Sequence, residues 1–253
     1  MQRYDALILA GGRARPEMAA KTGTDVRALF EWRGKPFVQY AYEALRASAH
    51  IERIAIIGPE VLKDVEGLAG ADLLLPERDT ISENLLSGLE GLNPQNRVLV
   101  TACDNPLLST PAFDNFLSRT PIDADIAFPI LRHEAFLNRF PNAGNIPIRV
   151  RDGVWIGGDC ITIGSGAIPA LKSTMEKVLG ARKSAVKMAL LLGVPFSLKF
   201  ALKRVTVQDV ERRICRITSL SFKFVPDSDP VFVIDIDDPE DWDYLESWSR
   251  GGS

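Results

Sequence analysis

Ala6-Leu7-Ile8-Leu9-Ala10-Gly11-Gly12-Arg13-Ala14-Arg15 decides how the rest of the chain is read. Leu7, Ile8 and Leu9 form an apolar run of the kind that is buried on both faces of a sheet. The run breaks at Gly11-Gly12. Two missing Cβ atoms let the chain turn sharply there and let backbone N–H groups approach a ligand closely. Arg13 and Arg15 bring fixed positive charge to the same loop. A strand end, paired glycines and arginines together describe a phosphate site suited to a triphosphate. The plainer reading is a tight strand-to-helix turn with solvated arginines.

Working outward, strand signals recur at 6–10, 53–57, 73–75 and 98–101, and helical periodicity fills 36–48, 60–68 and 81–92. This alternation predicts an α/β fold, a Rossmann-like open and mostly parallel sheet with helices on both faces. Right-handed crossovers place the strand C-terminal ends on one edge, where ligands bind in such sheets. Gly11-Gly12 and Asp104 both fall at such ends. The second half reads differently. A strand is expected at 125–131 and a hairpin-rich stretch at 145–164, with Asp152-Gly153 and Gly157-Gly158 as turns. A nearly all-helical pattern follows over 167–215, then a last strand at 231–234 and a helix from Pro239 to about Trp248. The expectation is one domain over 1–253 with a helical insertion at about 167–216.

The bulk numbers narrow the classes. The chain has 253 residues, 46% hydrophobic and 25% charged, as in a soluble globular protein. A formal net charge of −3 gives no general footprint for nucleic acid. Cys103, Cys160 and Cys215 are scattered and odd in number, which fits reduced thiols better than a disulfide framework or a zinc site. The first apolar run is short and lacks a basic leader, and no run approaches the roughly 18 to 20 apolar residues of a spanning helix. The cytoplasm is the expected compartment.

Several residues besides the glycine loop are candidates for chemistry. Asp104 follows an apolar strand and precedes Asn105-Pro106, so a carboxylate stands at the exposed strand end. Mg²⁺ often takes only one or two carboxylates together with substrate phosphates. The alternative is that Asp104 caps the Asn-Pro turn. In Asp235-Ile236-Asp237-Asp238-Pro239-Glu240-Asp241, helix-start chemistry accounts for Asp238 as N-cap, Pro239 at the first position and Asp241 at the third. It does not account for Asp235 or Asp237. Alternating around Ile236, those two point to opposite faces if the strand continues, and either can reach a second Mg²⁺ position. Arg27, on the loop after the glycines, is placed to meet an α-phosphate, where charge grows during transfer. Lys35, just before a helix started by Pro36, is a candidate phosphate contact. Gly157-Gly158-Asp159 reads as a tight turn or a substrate contact. His50 and His133 stand alone. The basic amphipathic stretch 185–204 reads as a core-packed helix pair with a solvated side, with membrane-surface contact as the alternative.

In their order along the chain, Leu9-Ala10-Gly11-Gly12-Arg13, Gly34-Lys35-Pro36, Cys103-Asp104-Asn105-Pro106 and Ile236-Asp237-Asp238-Pro239-Glu240-Asp241 resemble the GT-A-type nucleotidyltransferases. The closest likeness is to the molybdenum-cofactor nucleotidyltransferase-like NTP transferases. The resemblance implies the nucleotide-diphospho-sugar transferase type of fold, with a nucleoside triphosphate over the glycine loop. It also implies Mg²⁺ on Asp104, with Asp237 matching the second metal aspartate of some members, and transfer of a nucleotidyl group to a phosphate or similar nucleophile with release of pyrophosphate. The opening motif departs from the usual Gly-x-Ser/Gly-x-Arg-Met-Gly and reads Arg13-Ala14-Arg15-Pro16-Glu17-Met18. Arg27 stands where the family has a lysine, and Gly158-Asp159 where it has Gly-Asn. Two other readings compete: a nucleotide-binding module without catalysis, and a GT-A glycosyltransferase using a nucleotide-sugar. The latter calls for an Asp-x-Asp pair at the middle strand's end, where Asp104-Asn105-Pro106 stands instead.

Overall fold

The opening run forms strand β1 (Tyr4–Leu9), in which Ala6, Leu7 and Ile8 have no exposed surface. A computed structural model describes residues 2–171 and 190–251. Three strands join β1 in parallel: β4 (Ile51–Gly58) on one side, β5 (Leu73–Pro76) beyond it, and β6 (Arg97–Ala102) on the other side. Side chains alternate between two cores, as the strand period requires. Ala6, Ile8, Ile54, Ile56 and Leu99 pack with helices α2 (Phe37–Arg46) and α4 (Thr110–Arg119). Leu7, Ala55, Ile57, Val98 and Val100 pack with α3 (Ile81–Leu92). A Cβ on Gly88 would lie 2.7 Å from Leu7, so that glycine lets α3 sit close on the sheet. The sheet is thus covered on both faces. It buries Asp5 completely, paired to Arg53 at 2.6 Å.

The remainder of the sheet turns antiparallel. β10 (Cys160–Ile163) lies between β6 and β7 (Ile126–Arg132) and runs against both. β7 then carries β11 (Phe222–Val225) in parallel and β9 (Gly153–Gly157) antiparallel, with β8 (Ile148–Val150) outermost, giving nine strands in all. β9 and β10 are one run bent at a corner. Gly157 faces Ile130, while Thr162 faces Ala127, so Gly158 and Asp159 absorb a slip in register. The hairpin of β2 (Glu31–Trp32) and β3 (Lys35–Pro36) precedes α2. A third core gathers α1 (Pro16–Thr22), α5 (His133–Arg139) and α8 (Pro239–Gly251) through Met18, Phe136, Phe140 and Leu245.

Three sequence expectations are corrected. The helix at 60–68 is two 3₁₀ turns, Glu60–Asp64 and Glu66–Leu68, because Val65 is extended between them. The strand at 231–234 is a 3₁₀ turn, Pro230–Val233. The Asp229 carboxylate accepts from the Val231 N–H at 2.9 Å, and Pro230 has no N–H for a ladder. The last strand is β11, whose Phe222 and Val225 are buried while Lys223 turns out to Glu211. Of the core-packed pair expected within 185–204, the described residues show one helix, α6 (Val194–Ala201), and it has no buried residue. Residues 185–189, and the middle of the expected insertion at 172–189, lie outside the described residues. No helix among the described residues is long and apolar enough to cross a membrane.

Candidate active site

The parallel register sets the first part of the site. Leu9 faces Ala102, so Gly11 and Asp104 lie equally far past the ends of neighbouring strands. Gly12 has φ +120, which L side chains rarely adopt. A Cβ on Gly11 would come within 3.0 Å of the Asn84 amide and 3.1 Å of the Glu77 carboxylate. Ala10 donates its N–H to the Ile57 carbonyl at 2.8 Å, which fixes the start of the loop. The loop is wider than a tight turn. Arg13 pairs with Glu77 at 2.6 Å and bridges to Val26, and α1 lies in the chain between Arg13 and Val26. Neither Glu77 nor Asn84 was singled out by the sequence. The only signal is a polar residue, Asn84, on the buried side of α3, where it accepts from the Arg78 N–H at 2.7 Å.

Arg27 opens the 3₁₀ turn Arg27–Leu29, whose Ala28 is buried against the first core. Its guanidinium lies 2.6 Å from Asp237 and 3.2 Å from Asp104. Arg15 pairs with Asp238 at 2.9 Å. The basic loop and both acidic motifs therefore meet at one edge, although they are separated by as many as 223 positions in sequence. The Asp104 carbonyl accepts from the Ile236 N–H at 3.0 Å, which ties the second acidic segment to the end of β6. Asn105, rather than Asp104, closes the turn. Its side chain accepts from the Leu107 N–H at 2.9 Å and donates to the Val231 carbonyl at 2.7 Å. That leaves the Asp104 carboxylate to the cleft.

Asp235 and Asp237 were expected on opposite faces of a continued strand. No strand forms there, and their carboxylates act on one another. Asp235 is pushed up to about 6 by burial and by Asp237, Asp104 and Asp241. Asp241 instead serves the helix start, accepting from the N–H groups of Asp237 and Asp238 at 3.1 and 3.0 Å. Asp104 is raised by burial and by Asp237, with Arg27 pulling it down. Gly158 and Asp159 sit at the β9–β10 corner. A Cβ on Gly158 would be 2.6 Å from the Phe232 Cβ, so no side chain fits, and Asp159 donates its N–H to the Phe232 carbonyl at 2.8 Å. Burial, then Asp235, Asp104 and Asp237, push Asp159 up to about 8. Since Asp159 keeps an exposed edge, repulsion by its neighbours is the firmer cause. Lys35 is not brought to this group. It pairs with Glu43 at 2.5 Å and lies over the Tyr40 ring.

The cleft brings four carboxylates near one another, two of which, Asp104 and Asp237, pair with the Arg27 guanidinium. Among the described residues, no three His, Cys, Asp or Glu side chains form a metal site by themselves. Two hard oxygen donors, Asp104 and Asp237, on either side of a cation fit an ion that draws its other ligands from phosphate and water. Cys103 and Cys160, next to Asp104 and Asp159, are buried with their thiols raised, so they are not nucleophiles here.

A mostly parallel sheet with a glycine loop and paired aspartates on one edge places the chain among nucleotide-handling α/β proteins. The profile of the MobA-like NTP transferase domain matches residues 6–191, and the chain belongs to that family. A comparison with curated protein sequences gives no match. Among solved structures, a hypothetical transferase from Thermus thermophilus is similar at a TM-score of 0.83 and 30% identity, over 95% of this chain and 99% of that one. CMP:2-keto-3-deoxy-manno-octonic acid synthetase complexed with CTP shares the fold at a TM-score of 0.63 and 10% identity, over all of both chains. The 4-diphosphocytidyl-2C-methyl-D-erythritol synthase from Anaerococcus prevotii does so at 0.58 and 12%, over 100% of this chain and 97% of that one.

Proposed function

We propose that the chain transfers a nucleotidyl group from a nucleoside triphosphate to a phosphorylated or similar small acceptor, releases pyrophosphate, and uses Mg²⁺. The observation that carries this reading is Arg27 held between Asp104 and Asp237, at the edge that also bears the Gly11-Gly12 loop. Leu9, Ala10, Gly11 and Gly12 form the nucleotide cradle, and Arg13 and Arg15 take the leaving pyrophosphate. Asp104 and Asp237 would hold Mg²⁺, which when bound neutralises charge between the acceptor and the α-phosphate. Gly158 and Asp159 face the acceptor. An acceptor oxygen forms a bond to the α-phosphorus as the bond to the α–β bridging oxygen breaks, and the electron pair departs with pyrophosphate. An ionised acceptor phosphate has no proton to lose. Two anions must meet, so the work of the side chains is positioning and charge neutralisation. Arg27 neutralises charge at the α-phosphate as the two oxygens exchange.

Melting curves with each of the common nucleoside triphosphates, with and without Mg²⁺, identify the base, since a bound nucleotide raises the melting temperature. Pyrophosphate release is then measured with that nucleotide and a panel of sugar phosphates and other phosphorylated acceptors. Release that depends on both acceptor and Mg²⁺ supports the reading. Tight nucleotide binding without release against any acceptor overturns it in favour of a nucleotide-binding module.

A further inference from the structure

α6 and its flanks carry an apolar side that nothing in the described fold covers. Val194, Leu198 and Leu202 recur every four residues and are 60%, 60% and 55% exposed, and Leu190, before the break at Gly193, is 65% exposed. The opposite side is the one that holds the helix down. Arg213 of α7 (Val207–Thr218) donates to the Leu191 carbonyl at 3.4 Å and lies over the Phe196 ring. Phe200 enters an apolar cavity of about 100 Å³ with Trp155, Val207 and Val210. That cavity also includes Ile148, half exposed on β8. Among the described residues α6 has contacts on one side only, and its outer apolar side chains stay open to a second surface.

Charge identifies that surface. The chain is net negative, yet no acidic residue occurs between Glu176 and Asp209. Lys199, Lys203 and Arg204 are exposed beside the leucines. Among the described residues, none of the three pairs with a carboxylate. Leucines on one side of a helix, cations at its margin and no acid are the arrangement that lies in the headgroup region of an anionic bilayer. A protein partner would have to supply both an apolar groove and a matching set of acids, whereas one anionic lipid surface provides both at once.

We propose that α6 docks this protein on an anionic membrane surface, with Leu198 and Leu202 entering the acyl boundary and Lys199, Lys203 and Arg204 meeting lipid headgroups. The test is co-sedimentation of the full chain with phosphatidylcholine vesicles, with and without about 30 mol% phosphatidylglycerol. Wild type should pellet with the anionic vesicles at about 0.15 M salt and be released at about 1 M. The Leu198→Asp/Leu202→Asp variant should bind more than about tenfold more weakly, and Lys199→Glu/Lys203→Glu should lose the preference for anionic lipid. Both pairs are exposed, so melting temperatures should match wild type. Wild type left in the supernatant, equal binding to both vesicle types, or binding unchanged in both variants would overturn the proposal. Light scattering that finds a dimer dissolved by Leu198→Asp/Leu202→Asp, with no vesicle binding, would assign the surface to a second copy of the chain instead.

Discussion

The two halves of the sheet reach the same site by different means. In the parallel half, β1 and β6 end in register and deliver the glycine loop and Asp104 as direct continuations of buried strands. In the antiparallel half, Asp159 occupies a bulged corner between β9 and β10, and Asp235 and Asp237 sit on a segment that is neither strand nor helix. The first half positions its groups through strand geometry. The second does so through single contacts, such as the Ile236 N–H on the Asp104 carbonyl and the Asp159 N–H on the Phe232 carbonyl. Arg27 is the charge that joins them. Groups fixed by a buried ladder should then be harder to replace than groups fixed by single contacts.

Asp104→Ala is the strongest test of that ranking. Turnover should fall by roughly 10³ or more, the upper end for one preorganised group. The melting temperature should hold or rise, because the change removes a buried carboxylate that its surroundings disfavour. Turnover near wild type, or an unfolded variant, would break the comparison at its rigid side.

Arg27→Ala should lower kcat by on the order of 10² to 10³ while nucleotide affinity changes less, since the contact strengthens in the transition state. Arg27→Lys should recover part of the loss, because here charge counts for more than the fork of donors. Equal kcat for wild type and Arg27→Ala would separate the two halves that the guanidinium is held to join.

Asp237→Asn should act more mildly. Its neighbours Asp238 and Asp241 keep the helix start in place, so the Mg²⁺ dependence should shift by about tenfold with turnover largely retained at saturating metal. A wild-type Mg²⁺ titration would remove Asp237 from the site.

The smallest effect is expected at Asp159. Its carboxyl is raised from 3.8 to about 8. Between those values the folded protein holds a proton that the unfolded chain has lost, so this residue favours the fold at low pH. The contribution disappears as pH rises toward 8. Asp159→Asn should therefore melt close to wild type near pH 4, with its advantage growing up to about pH 8 and flat beyond. Parallel melting curves across that range would show that Asp159 is solvated independently of Asp235, Asp104 and Asp237.

Sequence alone determined the parallel half apart from the 3₁₀ turns at Glu60–Asp64 and Glu66–Leu68. Apolar runs of β-branched and leucine residues, separated by helical periodicity, have few other ways to bury both sheet faces, and α3 falls where its periodicity put it, at Ile81–Leu92. The same logic placed Gly11-Gly12 and Asp104 at strand ends. Tertiary structure decided the rest. Whether Asp235 and Asp237 face apart or together depends on a strand continuing, and the Asp229-Pro230 turn stops it. Asn105 rather than Asp104 closes its turn because the Val231 carbonyl lies within reach, from a residue 126 positions away. Glu77 comes to Arg13 from 64 positions away, through a contact that no local pattern encodes. Burial periodicity is a local property and can be read along the chain. The pairing of charges is set by whichever long-range segments the folded sheet brings to one edge.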